Sequence, residues 1–76
     1  MRKPDEIALY AELRQLRVPS YVLGRELPDE TAARLGIHPN RAYRLLEKWT
    51  DRGWWEYGTS LRCGWFTPDA PLELTP

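Results

Sequence analysis

The sequence predicts an α+β fold in which three helices precede a two-stranded antiparallel hairpin. Three observations carry this prediction. Apolar residues recur with a helical period in three stretches before residue 53, the period shortens after it, and proline and glycine residues separate the stretches. A chain of 76 residues has room for one small domain. We therefore expect a single domain over residues 1–69, followed by a proline-rich C-terminal tail over residues 70–76.

The clearest helix is predicted from Pro39 to Arg52. Pro39 suits the first position of a helix because its ring fixes φ near the helical value and no N–H is needed there. Gly53 supplies the residue that ends a helix with a positive φ. One apolar stripe runs along this helix and is expected to pack against the core; it consists of Ala42, Leu45, Leu46 and Trp49.

A shorter helix is expected just before this one, with Asp29 or Thr31 as its N-cap and Gly36 at its end. Its inward residues would be Ala32 and Leu35. Because Ala32 is small where the helices would cross and Gly36 permits a sharp turn, the pair fits a helix-turn-helix. The alternative interpretation of the same spacing is an ordinary helical hairpin with no ligand.

The first helix is predicted from Asp5 to about Arg17, where it would support the other two. Pro19 lies just beyond its expected end. Residues 20–24 fit either a short strand or a helical turn, and this choice stays open. The inward stripe of the first helix is expected to contain Ile7, Leu9, Tyr10, Leu13 and Leu16.

The region after Gly53 is predicted to form the hairpin, with its turn at residues 58–60. Gly64 indicates a bulge or a close approach of another group. The lone Cys63 is expected to be a small buried residue of a strand, with an intersubunit disulfide or a redox switch as the alternative. The face of the hairpin that packs on the core is expected to present Trp55, Tyr57, Cys63 and Trp65.

The stretch GIHPNRAYRLLEKWTDRGWW, residues 36–55, resembles the recognition-helix region of MarR-like winged-helix regulators. The residues 66–69, Phe-Thr-Pro-Asp, resemble the Leu-Thr-Pro-Glu that ends the wing in that family. The resemblance covers residues 31–69 and implies a winged helix-turn-helix that binds DNA. This chain departs from the family pattern at Trp49 and Trp54, where Leu is usual, at Ala42, where Val is usual, and in its short wing. The residues that match are Gly36, Ile37, Pro39, Arg44, Leu45, Leu46, Glu47, Lys48, Arg52 and Gly53.

The distribution of charge supports the same function class. The chain has 11 basic and 11 acidic residues, and its formal net charge is zero. Residues 34–62, however, hold six basic and three acidic residues, so this region is net positive and the remainder is net negative. A neutral protein with one basic face can attract phosphates. The alternative is a solvated helix face that binds nothing.

We therefore predict a sequence-specific double-stranded DNA-binding protein that regulates transcription. Asn40 and Arg41 are the expected base readers, since Asn suits adenine and Arg suits guanine in the major groove. Arg44 would either read a base or hold the DNA backbone, and Tyr43 would pack against the edge of the groove. The full set of residues predicted to contact DNA is Arg34, His38, Asn40, Arg41, Tyr43, Arg44, Lys48 and Arg62, in which Arg34 and Lys48 bind phosphates and Arg62 reaches the flanking backbone or minor groove.

Other function classes find less support in the sequence. One Cys and one His cannot build the usual zinc site, and no catalytic set or phosphate-binding loop is evident, so we expect neither an enzyme nor a cofactor. No segment fits a membrane span, and we expect a cytoplasmic protein. MarR-like proteins carry further helices for dimerisation and effector binding, for which this chain has no room; a homodimer stays open. The alternative function is a winged-helix interaction module that binds a polymerase or replication component, favoured by the zero net charge and four Trp residues.

Overall fold

Three α-helices form the first two thirds of the protein in a computed structural model that describes residues 3–76. They are α1 (Pro4–Leu13), α2 (Pro28–Arg34) and α3 (Pro39–Asp51), and a short 3₁₀ helix (Ser20–Leu23) lies between α1 and α2. The α2–turn–α3 pair is the expected helix-turn-helix, and α3 lies within one residue of its predicted bounds.

Two short antiparallel strands follow the helices. They are β1 (Trp55–Glu56) and β2 (Trp65–Phe66), with Trp55 opposite Phe66 and Glu56 opposite Trp65. A second 3₁₀ helix, Leu61–Cys63, lies in the loop that joins them. The predicted α+β fold, a winged arrangement of three helices followed by a two-stranded antiparallel hairpin, is confirmed.

The helix α1 ends at Leu13, four residues before the predicted end at Arg17. The Leu16 amide bonds to the Leu13 carbonyl at 2.8 Å, so the chain tightens into a turn there. Leu16 is still buried, but it reaches the core from this turn rather than from a helix. Its carbonyl also accepts a hydrogen bond from the Phe66 amide at 2.8 Å, which joins the turn to β2.

The start of α2 differs from the prediction that Asp29 or Thr31 caps it. Leu27 occupies the N-cap position, and the Glu30 carboxylate accepts a hydrogen bond from the Leu27 amide at 2.8 Å. This contact is one half of a capping box, and Leu27 has no side-chain oxygen to supply the other half. Thr31 is buried within the helix, while Asp29 is available for another contact. Residues 20–23 are a helical turn, which resolves the choice left open by the sequence.

The core lies between the three helices and the hairpin. The whole predicted stripe of α3 is buried, and Trp49 is inaccessible to solvent, so the expected orientation of α3 is confirmed. Tyr10 of α1 meets Trp49 edge-on with ring centroids 5.4 Å apart, and Phe66 lies 5.5 Å from Trp49. Large aromatic side chains therefore supply much of the apolar contact in this small domain.

The hairpin packs on the core through Trp55 and Phe66. Trp55 is the one residue of the predicted face that is buried, while Tyr57, Cys63 and Trp65 are not. The prediction assumed strands long enough to alternate, whereas each strand has two residues and a 3₁₀ helix resets the register between them. Cys63 belongs to that 3₁₀ helix and is only half-buried, so the expectation of a buried strand residue was wrong. Tyr57 is exposed.

The tail beyond residue 69 lies against α1. The Tyr10 hydroxyl donates a hydrogen bond to the Pro71 carbonyl, and Arg14 Nη1 lies 3.3 Å from the Leu72 carbonyl oxygen. Leu74 is buried and belongs to the core. The tail thus follows the surface and is anchored there by one apolar side chain. None of the helices within residues 3–76 has the length and apolar character needed to cross a membrane.

Candidate nucleic-acid interface

The start of α3 is organised by His38 and Pro39. His38 is the N-cap residue, and its Nδ1 atom accepts a hydrogen bond from the Asn40 amide at 3.1 Å. Pro39 occupies the first helical position. The His38 ring is therefore a local cap, and the same cap places Asn40 in the first exposed turn.

The face of α3 opposite the buried stripe carries four exposed residues, which are Asn40, Arg44, Glu47 and Asp51. Its two halves differ in chemistry. Asn40 and Arg44, one helical turn apart, form the N-terminal half, and neither makes an ion pair with any residue from 3 to 76. The C-terminal half is acidic. A ligand that is negatively charged is therefore favoured at the N-terminal half alone.

Arg41 does not share this outward face, contrary to the expectation that it lies beside Arg44. Its guanidinium turns towards α1, where Nε and Nη2 lie 3.0 and 3.3 Å from the two carboxylate oxygens of Asp5. The hydrogen bond from Arg41 holds the pKa of the Asp5 carboxyl below its ordinary value, and burial opposes this only in part. The helical angle permits this placement, because residue 41 lies about 90° from the centre of the outward face, and the Asp5 carboxylate attracts the guanidinium to that side.

Lys48 lies on the same side of α3, and its Nζ is 2.9 Å from Glu6 Oε1. Glu6 is buried, and its other oxygen accepts a hydrogen bond from Trp49 Nε1 at 2.9 Å. One carboxylate of α1 thus holds two neighbouring donors of α3. The buried charge has partners, as a buried carboxylate must have to be tolerated, and the arrangement fixes α3 against α1.

The remaining predicted cations are also paired. Arg62, on the 3₁₀ helix of the hairpin, makes two 3.1 Å hydrogen bonds to the carboxylate of Asp29 at the start of α2. Arg34, at the end of α2, lies 2.8 Å from Glu26 and 3.3 Å from Glu12. Hydrogen bonds to these carboxylates raise the pKa of both arginines. Tyr43 is half-buried on the side of α3 near Arg62.

The structure thus brings the predicted residues to α3 and its two flanks, and it adds carboxylates that sequence reasoning missed. Asp5, Glu6 and Asp29 each neutralise one predicted cation. The only signal in the sequence was global: equal numbers of acidic and basic residues imply that many cations have partners. No local pattern identifies them, because Asp5 and Arg41 are 36 positions apart.

Each of these four paired cations keeps part of its side chain accessible to solvent. The side chains of Arg41, Lys48 and Arg62 retain 33, 39 and 39% of their exposure, and that of Arg34 retains 52%. The ion pairs of Arg34, Arg41 and Arg62 have both partners at least partly exposed, and such pairs are worth only about 0–1 kcal/mol. A phosphate with a stronger or better-placed charge can therefore compete with the carboxylates for these guanidinium groups. Lys48 differs, because its partner Glu6 is buried and would be left with an uncompensated charge if the pair broke.

Comparison of the chain with protein-family models, with curated proteins and with solved structures found no match. The resemblance to MarR-like regulators therefore stays a prediction. Within residues 3–76 no group of three or more His, Cys, Asp or Glu side chains is placed to hold a metal ion. The candidate site is defined by its geometry: an outward Asn40–Arg44 pair between two flanks of carboxylate-paired cations.

Proposed function

We propose that this protein binds double-stranded DNA in a sequence-dependent manner through the N-terminal half of α3, and that it regulates transcription in the cytoplasm. One observation carries the proposal. Asn40 and Arg44 are exposed, lie one turn apart on the outward face of the second helix of a helix-turn-helix, and make no ion pair with residues 3–76. A second helix of this kind enters the major groove with its N-terminal residues against the base edges.

The chemistry of the two side chains fits base recognition. An Asn amide makes two hydrogen bonds to adenine and an Arg guanidinium makes two to guanine, each pair discriminating by about 1–3 kcal/mol. Glu47 and Asp51 lie on the same face further along α3. Because carboxylates are repelled by phosphates, they favour an orientation in which only the N-terminal half of α3 enters the groove.

The flanking cations supply the contacts to the DNA backbone in this proposal. Arg41 and Lys48 lie on one side of α3 and Arg62 on the other. Arg41 and Arg62 would exchange their carboxylates for phosphates, while Lys48 would contact a phosphate through its exposed part and keep its bond to the buried Glu6. Arg41 is therefore assigned to the backbone rather than to a base. Arg34 adds a contact from α2, and Tyr43 packs against the edge of the groove.

The test begins with selection of bound duplexes from random DNA, followed by titration of the selected duplex and of a scrambled one. We expect Asn40→Ala and Arg44→Ala to reduce the preference for particular base pairs by about 1–3 kcal/mol each. Arg17→Ala is the matched control, since Arg17 is exposed and lies outside the helix-turn-helix and the hairpin. With about four phosphates neutralised, log K should fall against log[salt] with a slope near −3.6.

Two results would contradict the proposal. Absence of measurable duplex affinity at low salt, combined with tight binding to a protein partner, would favour the alternative function of an interaction module for a polymerase or replication component. Uniform loss of affinity in the Asn40 and Arg44 variants, with the sequence preference of the parent preserved, would show that α3 contacts phosphates only.

A further inference from the structure

A second surface of the protein is apolar and exposed. Of the six large apolar side chains that are exposed among residues 3–76, four fall within residues 18–23, which we call the apolar turn. They are Val18, Tyr21, Val22 and Leu23, with 40, 62, 62 and 49% of their surface exposed. Single exposed apolar residues are ordinary, but a contiguous group of this kind marks an interaction site.

The backbone of the apolar turn is held in one conformation. The Val22 amide bonds to the Pro19 carbonyl at 3.0 Å, and the Gly24 amide bonds to the Tyr21 carbonyl at 3.2 Å. Gly24 has a φ of +68°, a conformation that glycine adopts without strain. Because the turn is ordered before any partner arrives, little conformational entropy is lost when one binds.

The chain next to the apolar turn is rich in arginine. Residues 13–25 contain Arg14, Arg17 and Arg25. The acidic residues that border this stretch, Glu12 and Glu26, are both paired with Arg34. None of the three arginines within residues 13–25 forms an ion pair with any residue from 3 to 76, in contrast to the arginines that flank α3. An apolar surface bordered by unpaired cations is complementary to a partner that carries apolar and acidic side chains.

A cleft of about 330 Å³ adjoins the apolar turn. Its apolar wall is formed by Leu13 and Leu16, and the turn contributes Ser20, with Arg25 beside it. Ser20 is buried, and within the described chain its hydroxyl has no hydrogen-bond partner. Glu12, Glu26 and Arg34 also line the cleft, and Arg34 donates hydrogen bonds to both carboxylates. The cleft can receive one anchoring side chain from a partner seated on the turn.

The size of this surface restricts the occupant. A stable complex of two folded proteins buries about 800 Å² on each side, which four partly exposed side chains do not provide. A short segment needs less, because one anchor in a cleft and a few apolar contacts carry most of its affinity. We propose that the apolar turn and its cleft bind a short protein segment rich in acidic and apolar side chains.

This inference does not rest on the DNA-binding proposal, since it uses no side chain of α3 or of the hairpin. The experiment selects binders to the purified protein from a displayed library of random short peptides, and then measures the affinity of synthetic copies by fluorescence anisotropy. We expect the selected peptides to share acidic residues next to Leu, Phe or Trp, and their affinity to fall as salt rises.

Variants locate the binding surface. Val22→Asp should weaken peptide binding by at least about tenfold, as loss of a central interface contact does. Arg25→Glu should also weaken it and should reduce its salt dependence. The matched controls are Tyr57→Asp, which places the same charge at another exposed apolar residue, and Arg44→Glu; both should bind peptide as the parent does. Because all four side chains are at the surface, the melting temperatures should change little.

Several results would overturn the inference. Selected peptides that lack acidic residues, or that bind the Val22→Asp variant as tightly as the parent, would exclude the proposed chemistry or the proposed surface. Self-association that Val22→Asp abolishes would identify a second copy of this chain as the occupant. Binding to vesicles of anionic lipid that depends on Val22, without binding to any acidic peptide, would identify a membrane surface instead.

Discussion

Gly64 is the residue whose identity is most tightly constrained by its neighbours. A Cβ atom at this position would lie 2.3 Å from the Glu56 carbonyl oxygen and 2.4 Å from Trp55 Nε1. The φ of Gly64 is −94°, so the constraint is the close approach and not the backbone angle. The Trp55 indole is held there by its hydrogen bond to the Leu61 carbonyl at 3.0 Å and cannot move aside without losing it.

We predict that Gly64→Ala destabilises the protein by about 1–3 kcal/mol or more, the usual effect of overpacking. Gly58→Ala is the matched control, because a Cβ atom there meets nothing within 4 Å and the φ of Gly58 is not positive. Chemical denaturation of both variants, followed by tryptophan fluorescence, measures the difference. Equal stability of the two variants would show that the hairpin does not hold Trp55 in this position.

At the scale of the element, α3 is secured on one side by two carboxylates of α1. Asp5 and Glu6 of α1 hold one side, and Asp29 of α2 pairs with Arg62 beside the other. The same contacts that orient α3 also neutralise the cations proposed to bind phosphates. Among them the pair of Asp29 and Arg62 is the best one to test, because Arg62 donates to both oxygens of Asp29, whereas Asp5 and Glu6 also accept hydrogen bonds from other groups.

We predict that Asp29→Asn raises the affinity for all duplexes by about two- to fivefold, the equivalent of an exposed ion pair. Loss of the carboxylate frees Arg62 for phosphate, so the preference between sequences should not change. Asp69→Asn is the control, since it removes the same charge from an exposed residue after the hairpin. If both variants gain the same affinity for duplex DNA, net charge alone accounts for the effect and Arg62 is not restrained by Asp29.

The helices themselves were predictable because their signals are local. Pro39 and Gly53 mark the ends of α3, and the spacing of Ala42, Leu45 and Trp49 defines its buried side without reference to other elements. The hairpin face was not predictable, because strands of two residues are too short for alternation to show. Arg41 was misplaced for a related reason: a helical wheel gives its angle, but not the carboxylate that attracts it.

At the scale of the whole molecule, the last residues of the chain pack against α1 and contribute to the core. Leu74 is 7% exposed and packs with the core, whereas Leu72, two positions earlier, is 83% exposed. Hydrogen bonds from Tyr10 and Arg14 to the carbonyls of Pro71 and Leu72 hold the backbone just before Leu74 against α1. A domain of this size buries a smaller fraction of its unfolded surface than a larger domain does, so one additional apolar side chain is a considerable part of its stability.

We predict that Leu74→Ala destabilises the protein by about 2–3 kcal/mol, the lower part of the range for a buried leucine, because Leu74 lies at the edge of the core. Leu72→Ala is the control and should change stability by less than about 0.5 kcal/mol. Thermal and denaturant unfolding of both variants provides the measurement. A Leu74 variant as stable as the Leu72 variant would mean that the tail does not contribute to the core.

The sequence by itself determined the order of the elements, the ends of α3 and the side of α3 that is buried, since these follow from the period of apolar residues and from proline and glycine. The tertiary structure alone decided which of the predicted DNA-contacting side chains face outward. Asn40 and Arg44 point to solvent, while Arg41, Lys48 and Arg62 are drawn to Asp5, Glu6 and Asp29. The physical reason is that electrostatic attraction acts through space, and folding brings together charges that lie 33 to 42 positions apart along the chain.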